Sequence, residues 1–173
     1  MDGMLVVMVQ AGDRLALDRL ARRWWPRLAR AAQRIVGRDA AEDAAQEALL
    51  SILHGVGGLR DPDRFAPWAF GILRRRCVDH LRKRPQLHPG QTVTTDNEAA
   101  PGAPLERLAI AQAMAGLPED QRFAAHLFFV EGLTLAEIAE AQGVPLGTAK
   151  SRLFHARRQL KAVLSQHLDG DDQ

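Results

Sequence analysis

One cysteine, Cys77, and not a single tyrosine occur in the 173 residues. A lone thiol excludes an internal disulfide framework, which fits a reducing compartment. Aromatic residues make up only 5% of the chain, and β-type residues are few, so an all-α protein is the expected class. The longest apolar run near the start, Met4–Val9, is far too short to cross a bilayer and has no basic leader before it. No membrane insertion is expected, and the cytoplasm is the expected location. Also missing are a glycine-rich phosphate loop, a nucleophile paired with a base, and a metal-ligand spacing. Cys77 and His80 stand at i and i+3, but a zinc site would need two more ligands, and Cys77 falls on an apolar stripe where a thiol is inert. An enzyme, a cofactor and a small-molecule substrate are therefore not expected.

What is present is unevenly charged. The net charge is only +2, yet residues 61–84 hold seven Lys and Arg against three acids, while residues 85–144 hold two against eight. Separated basic and acidic surfaces suit one polyanionic partner and a second partner of different character.

The most informative stretch is Leu133–Arg158. Thr134 followed by Glu137 reads as a capping box, so a helix is expected from Leu135, with Leu135, Ile138 and Ala139 on its buried side. Gly143 ends it, and Pro145 suits the first turn of a second helix. At about 100° per residue, Ala149, Leu153, Ala156 and Leu160 share one apolar face of that second helix. Gly147, Ser151, Phe154, His155 and Arg158 point the opposite way, and Lys150, Arg152 and Arg157 lie at the flanks. Two helices about a glycine turn, with small or polar residues outward and cations at the edges, make a helix-turn-helix whose second helix fits a DNA major groove. An αα-hairpin with a solvated basic face is the plainer alternative. The small Gly147 on the outer face favours close approach to another surface.

The rest of the chain reads as helices in series. Residues 4–10 form a short helix stopping at Gly12, and Asp13 caps a longer one carrying Leu15, Leu17, Leu20, Trp24, Leu28 and Ile35, with a kink expected at Pro26. Its Arg22, Arg23, Arg27, Arg30 and Arg34 read as a solvated face. After Gly37, Asp39 with Glu42 reads as another capping box opening a helix to about Leu53. That helix turns Ala45, Leu49, Ile52 and Leu53 to the core and Asp43, Gln46, Glu47 and Leu50 to another face. A further helix from about Pro67 to before Pro85 buries Phe70, Leu73, Cys77 and Leu81 and projects Arg75, Asp79, Arg82 and Lys83, with Arg76 and His80 to one side. Phe65 and Trp68 precede those cations, and aromatics beside cations suit melted nucleic acid, although each ring also fits a core. Residues 85–104 hold four prolines and two glycines without periodicity, and read as a flexible linker. Helices expected from Leu105 to Gly116 and after Leu117-Pro118, the latter with Phe123, Leu127 and Val130 inward, complete a four-helix domain over 105–168. An acidic tail, 169–173, follows.

Taken together, DAAQEALL at Asp43–Leu50, FAPWAFGILRRRCVDHLRKR at Phe65–Arg84, LPEDQR at Leu117–Arg122 and the helix-turn-helix after it resemble the extracytoplasmic-function (ECF) class of the bacterial sigma-70 family. The resemblance covers nearly the whole chain. It implies two small helical domains, 1–84 and 105–168, joined by the linker. It also implies that Asp43, Gln46, Glu47 and Leu50 bind core RNA polymerase. Phe65, Trp68, Arg75, Arg76, Asp79, His80, Arg82 and Lys83 then face the -10 promoter element, and Thr148, Lys150, Ser151, Arg152, Phe154, His155, Arg157 and Arg158 the -35 element. An anti-sigma factor is a further implied partner. Three positions depart from the family pattern: Leu49 replaces a common aromatic, Arg76 a common Asn, and His155 a frequent Arg. Neutral His lacks the bidentate fork that favours guanine, so an altered -35 preference is expected. The competing function is a helix-turn-helix regulator acting without polymerase, its N-terminal half a dimerisation or sensing module.

Overall fold

The computed structural model describes residues 2–83 and 105–168. They form eight α-helices: α1 Asp2–Gln10, α2 Arg14–Val36, α3 Arg38–Gly55, α4 Phe65–Lys83, α5 Leu105–Ala115, α6 Glu119–Phe129, α7 Leu135–Gln142 and α8 Leu146–Leu168. No strand occurs among the described residues. The expected linker, 85–104, and acidic tail, 169–173, lie outside them.

Local chemistry sets the boundaries. The Asp13 carboxylate accepts from the backbone N–H of Leu15 at 2.8 Å and of Ala16 at 3.1 Å, capping α2. The helix buries Leu20, Trp24, Leu28 and Ile35, whereas Leu15, expected on the same stripe, is 69% exposed. It remains one element through Pro26. The carbonyl of Arg22 loses its helical donor there, on a surface where water can replace it. Gly37, at φ 77°, both ends α2 and begins α3, a backbone that favours glycine. Because α3 starts at Arg38, the Asp39–Glu42 capping box does not form. Asp39 sits inside the first turn, where its charge complements the helix dipole instead. Two short 3-10 turns, Val56–Gly58 and Pro62–Arg64, then lead into α4. That helix begins two residues earlier than the proline signal suggested, with Pro67 in its first turn.

In the C-terminal domain the Thr134–Glu137 box is present in both directions: Glu137 N–H donates to Thr134 Oγ1 and Thr134 N–H to Glu137 Oε2. Gly143 closes α7 in the left-handed region at φ 63°. Pro145 stands just before α8, and its carbonyl accepts from the N–H of Thr148 and Ala149. Val130 caps α6 and is 57% exposed, not inward as its spacing suggested.

Trp24 centres the core, edge-on to Phe65 at 4.9 Å and tilted against Phe70 at 5.3 Å. One contiguous cluster joins these rings to Leu28, Ile35, Ile52 and Leu73 and runs on into Phe123, Leu127, Ile138 and Ala141 of the C-terminal domain. Thus α2 packs on α6 and α4 on α7. A smaller cluster of Met114, Leu117, Ala125 and Ala156 knits α5, α6 and α8.

Candidate nucleic-acid interface

Helix α8 presents two faces. Ala149, Leu153 and Ala156 are buried, and Thr148, Lys150, Ser151, Phe154, His155, Arg157 and Arg158 are all exposed. The outward Phe154, 61% exposed, stands edge-on to His155 with ring centroids 5.6 Å apart. The ring stands on the same outward side of α8 as the exposed cations Lys150, Arg157 and Arg158. Arg152 differs from its neighbours. One of its guanidinium nitrogens donates to Asp120 Oδ2 at 2.6 Å and another to Gln142 Oε1 at 3.0 Å, while Gln142 donates to the Asp120 carbonyl at 2.8 Å. It ties α8 to α6 and α7 from a half-buried position, so its geometry is that of a brace rather than of a free phosphate contact.

On α4, Arg75, Arg82 and Lys83 are exposed and Asp79 is half-buried. Arg76 donates to Ser51 Oγ at 2.8 Å and His80 Nε2 stands 3.2 Å from Glu47 Oε1, so both side chains turn toward α3. Phe65 is 1% exposed, locked against Trp24. It is a core residue and has no face to offer a base, which corrects the expectation that it stacks on DNA. The half-buried Trp68 packs over Gly55, where an added β-carbon would come within 3.1 Å of its ring. On α3, Asp43, Gln46 and the 52%-exposed Leu50 form an open face, with Glu47 half-buried at its edge beside His80.

A buried polar cluster that no sequence pattern disclosed lies between the domains. Arg27 Nε donates to Glu131 Oε2 at 2.7 Å, Arg27 Nη1 to Asp2 Oδ2 at 3.1 Å, and His126 Nε2 stands 3.5 Å from Glu131 Oε1. The Arg27 guanidinium also lies 3.9 Å over the Trp24 ring. Burial raises the Glu131 carboxyl, but His126 and Arg27 outweigh it and hold the group below its usual range. Arg27 and the partly buried Arg34, whose pKa burial lowers, therefore leave the solvated face expected for the α2 arginines. Cys77 is fully buried, and burial with nearby Glu119 pushes its thiol up to about 12. Among the described residues no group of His, Cys, Asp and Glu gathers as a metal site, and no helix is long and apolar enough to cross a membrane.

Among the described residues, an all-α fold with an exposed basic second helix of a helix-turn-helix and a further basic helix beside an acidic, partly apolar face has the features of a DNA-binding transcription protein. Comparison with known proteins makes the class specific. Residues 20–85 match Sigma-70 region 2 and residues 107–160 match Sigma-70, region 4. The chain is 35% identical over 167 residues to the ECF RNA polymerase sigma factor SigM of Mycobacterium tuberculosis, spanning 94% of this chain and 84% of that one. It is 31% identical over 181 residues to the RNA polymerase sigma-H factor of Pseudomonas aeruginosa, at 94% and 93% coverage. The solved structure of CnrH in complex with the cytosolic domain of CnrY superposes with a TM-score of 0.67 at 24% identity, over 95% of this chain and 97% of that one. The sigma factor RpoE of Bartonella quintana, solved with the anti-sigma factor NepR, gives 0.65 at 24%, over 86% and 96%. Both likenesses show the same fold. The chain belongs to the ECF sigma factors of the sigma-70 family, and it is a sigma factor that directs transcription initiation.

Proposed function

We propose that the two domains divide the work of initiation. Residues 1–84 dock on core RNA polymerase through Asp43, Gln46, Glu47 and Leu50 and engage the -10 element with α4, through Trp68, Arg75, Asp79, Arg82 and Lys83. Arg76 and His80 act there from the α3–α4 junction, orienting α4 on the docking helix. The helix-turn-helix reads the -35 element: Ser151, Phe154 and His155 meet base edges, while Thr148, Lys150, Arg157 and Arg158 meet phosphates. Arg152 holds α8 in place. The protein works in the cytoplasm, catalyses no reaction of its own, and is restrained by an anti-sigma factor, as the structural neighbour RpoE is bound by the anti-sigma factor NepR.

The observation that carries this reading is the exposed Phe154 set among cations on a helix whose opposite face is closed by Ala149, Leu153 and Ala156. Such a surface complements a groove lined by phosphates and thymine methyl groups. The test is transcription in vitro with purified core polymerase on a promoter library. The chain is expected to give promoter-specific transcripts, and Asp43→Ala with Gln46→Ala to weaken core association without changing the circular dichroism, since both side chains are exposed. Sequence-specific duplex binding without any core-dependent transcript would replace this reading with that of a polymerase-independent regulator.

A further inference from the structure

Helices α5, α6 and α8 enclose a cavity of about 710 Å³ on the side of the helix-turn-helix away from its base-facing residues. Ile110 and Met114 of α5, Phe129 and Val130 at the end of α6, and Leu160 of α8 make its apolar walls. Its charge has one sign. Arg34 of α2 and Arg157 and Lys161 of α8 line it, and no acid stands among the described residues that do. Arg157 and Lys161 are four positions apart on one helix face, and both are exposed. His126 belongs to the lining too, although its ring is 1% exposed, and its Nδ1 atom has no hydrogen-bond partner among the described residues. With Nε2 turned to Glu131 at 3.5 Å, Nδ1 is left over, and a buried polar atom without a partner is an exception that asks for one.

An apolar cavity of this volume with a few convergent polar groups has the make-up of a small-molecule site. The walls select a hydrocarbon body and the cations an anionic head, and a guanidinium matches the planar fork of a carboxylate. We propose that the cavity binds a small amphipathic carboxylate, a medium-chain acyl acid, with its chain against Met114, Phe129 and Leu160 and its head between Arg157 and Lys161, and that the bound acid competes with DNA for Arg157. The competition rests on the -35 reading above, and the binding site does not. A guanidinium shared between the acid and a phosphate serves the phosphate less well, so the acid loosens α8 from the duplex without touching Ser151, Phe154 or His155.

The full chain tests it by titration calorimetry with laurate as the probe. Laurate is expected to bind, and shortening it to decanoate and then octanoate should weaken binding roughly tenfold at each step, as buried methylenes are lost. Dodecyltrimethylammonium, with the same tail and the opposite charge, should bind at least about tenfold more weakly than laurate. Ala111→Trp, from a half-buried position on the α5 wall, should abolish laurate binding by filling the cavity. Lys161→Glu, at an exposed position, should weaken it about tenfold with unchanged circular dichroism. Saturating laurate should lower the salt slope of duplex binding by about one phosphate, the amount that Arg157→Ala removes. Binding that ignores head charge and chain length, or that survives both Ala111→Trp and Lys161→Glu, overturns the proposal. So does a chain that takes no laurate but loses core polymerase, or a second copy of itself, on Ala111→Trp, since the walls are then a protein-docking face. Laurate that binds without moving a salt slope that Arg157→Ala does lower overturns the competition. If Arg157→Ala leaves that slope unchanged as well, the -35 contact of Arg157 falls and the acid site stands.

Discussion

Along α8, two arginines five positions apart have different work because only one of them finds a partner inside the protein. Arg152 spends both guanidinium edges on Asp120 and Gln142, whereas Arg157 stays exposed. Arg152→Ala is therefore expected to lower stability by about 2 kcal/mol, the range for hydrogen bonds to a charged group, measured by urea unfolding. Arg157→Ala should leave stability unchanged and reduce the salt slope of DNA binding by about one phosphate. If Arg152→Ala changed DNA affinity alone, at constant unfolding midpoint, the bracing role would be wrong. The helical wheel placed both arginines at the flank, and it could not do better: periodicity fixes the direction of a side chain but not whether an acid from another helix waits there. Phe65 carries the same lesson in reverse. Its place beside cations pointed to base stacking, and its partner Trp24, some forty positions away in sequence, decided for the core.

Helix boundaries were legible wherever one residue has a single cheap conformation. Thr134, Glu137 and Gly143 bound α7 as their chemistry dictates, while Asp39 and Glu42 carry the same pattern without forming a box. The difference lies at Gly37, whose φ of 77° opens α3 one residue ahead of Asp39, so the acid is already helical and cannot cap. Two substitutions separate the contributions at α7. Thr134→Ala should cost about 1 kcal/mol through lost capping bonds. Gly143→Ala should cost about 1 kcal/mol through the left-handed backbone alone, since nothing lies within 4 Å of the added carbon. The two effects should add when measured together by thermal unfolding, because they sit at opposite ends of an eight-residue helix. A double variant markedly less stable than the sum would mean that α7 melts as a unit and takes the helix-turn-helix with it.

At the scale of the whole molecule, sequence reasoning found both domains and missed their union. Each helix shows its apolar stripe, but the stripe does not say which neighbour covers it, and the surface arginines of α2 gave no sign that Glu131 would draw Arg27 into an interface. That ion pair makes the union sensitive to acid. The Glu131 carboxyl is held below its usual value, so its pairing contributes stability that is fully present above the ordinary glutamate pKa of about 4.5 and is lost as pH falls through the lower, folded-state value. Glu131→Gln removes the more deeply buried of the two carboxylates that hold Arg27 and leaves only Asp2, and is expected to cost about 2 kcal/mol at neutral pH, the range for a hydrogen bond to a charged group. The difference between variant and wild type should shrink as the pH falls through that lower, folded-state value, where the wild-type carboxyl is protonated too. All three tryptophans, Trp24, Trp25 and Trp68, lie in the N-terminal domain, so their fluorescence follows that half alone while far-ultraviolet circular dichroism follows all eight helices. The shared core predicts that the two signals coincide in urea for the wild type at pH 7. In Glu131→Gln they should separate, the C-terminal helices melting first because the larger cluster around Trp24 stays with the N-terminal domain. Separate transitions already in the wild type would show that the seams add little to the stability of either half, and the acid dependence argued from Glu131 would then be absent as well.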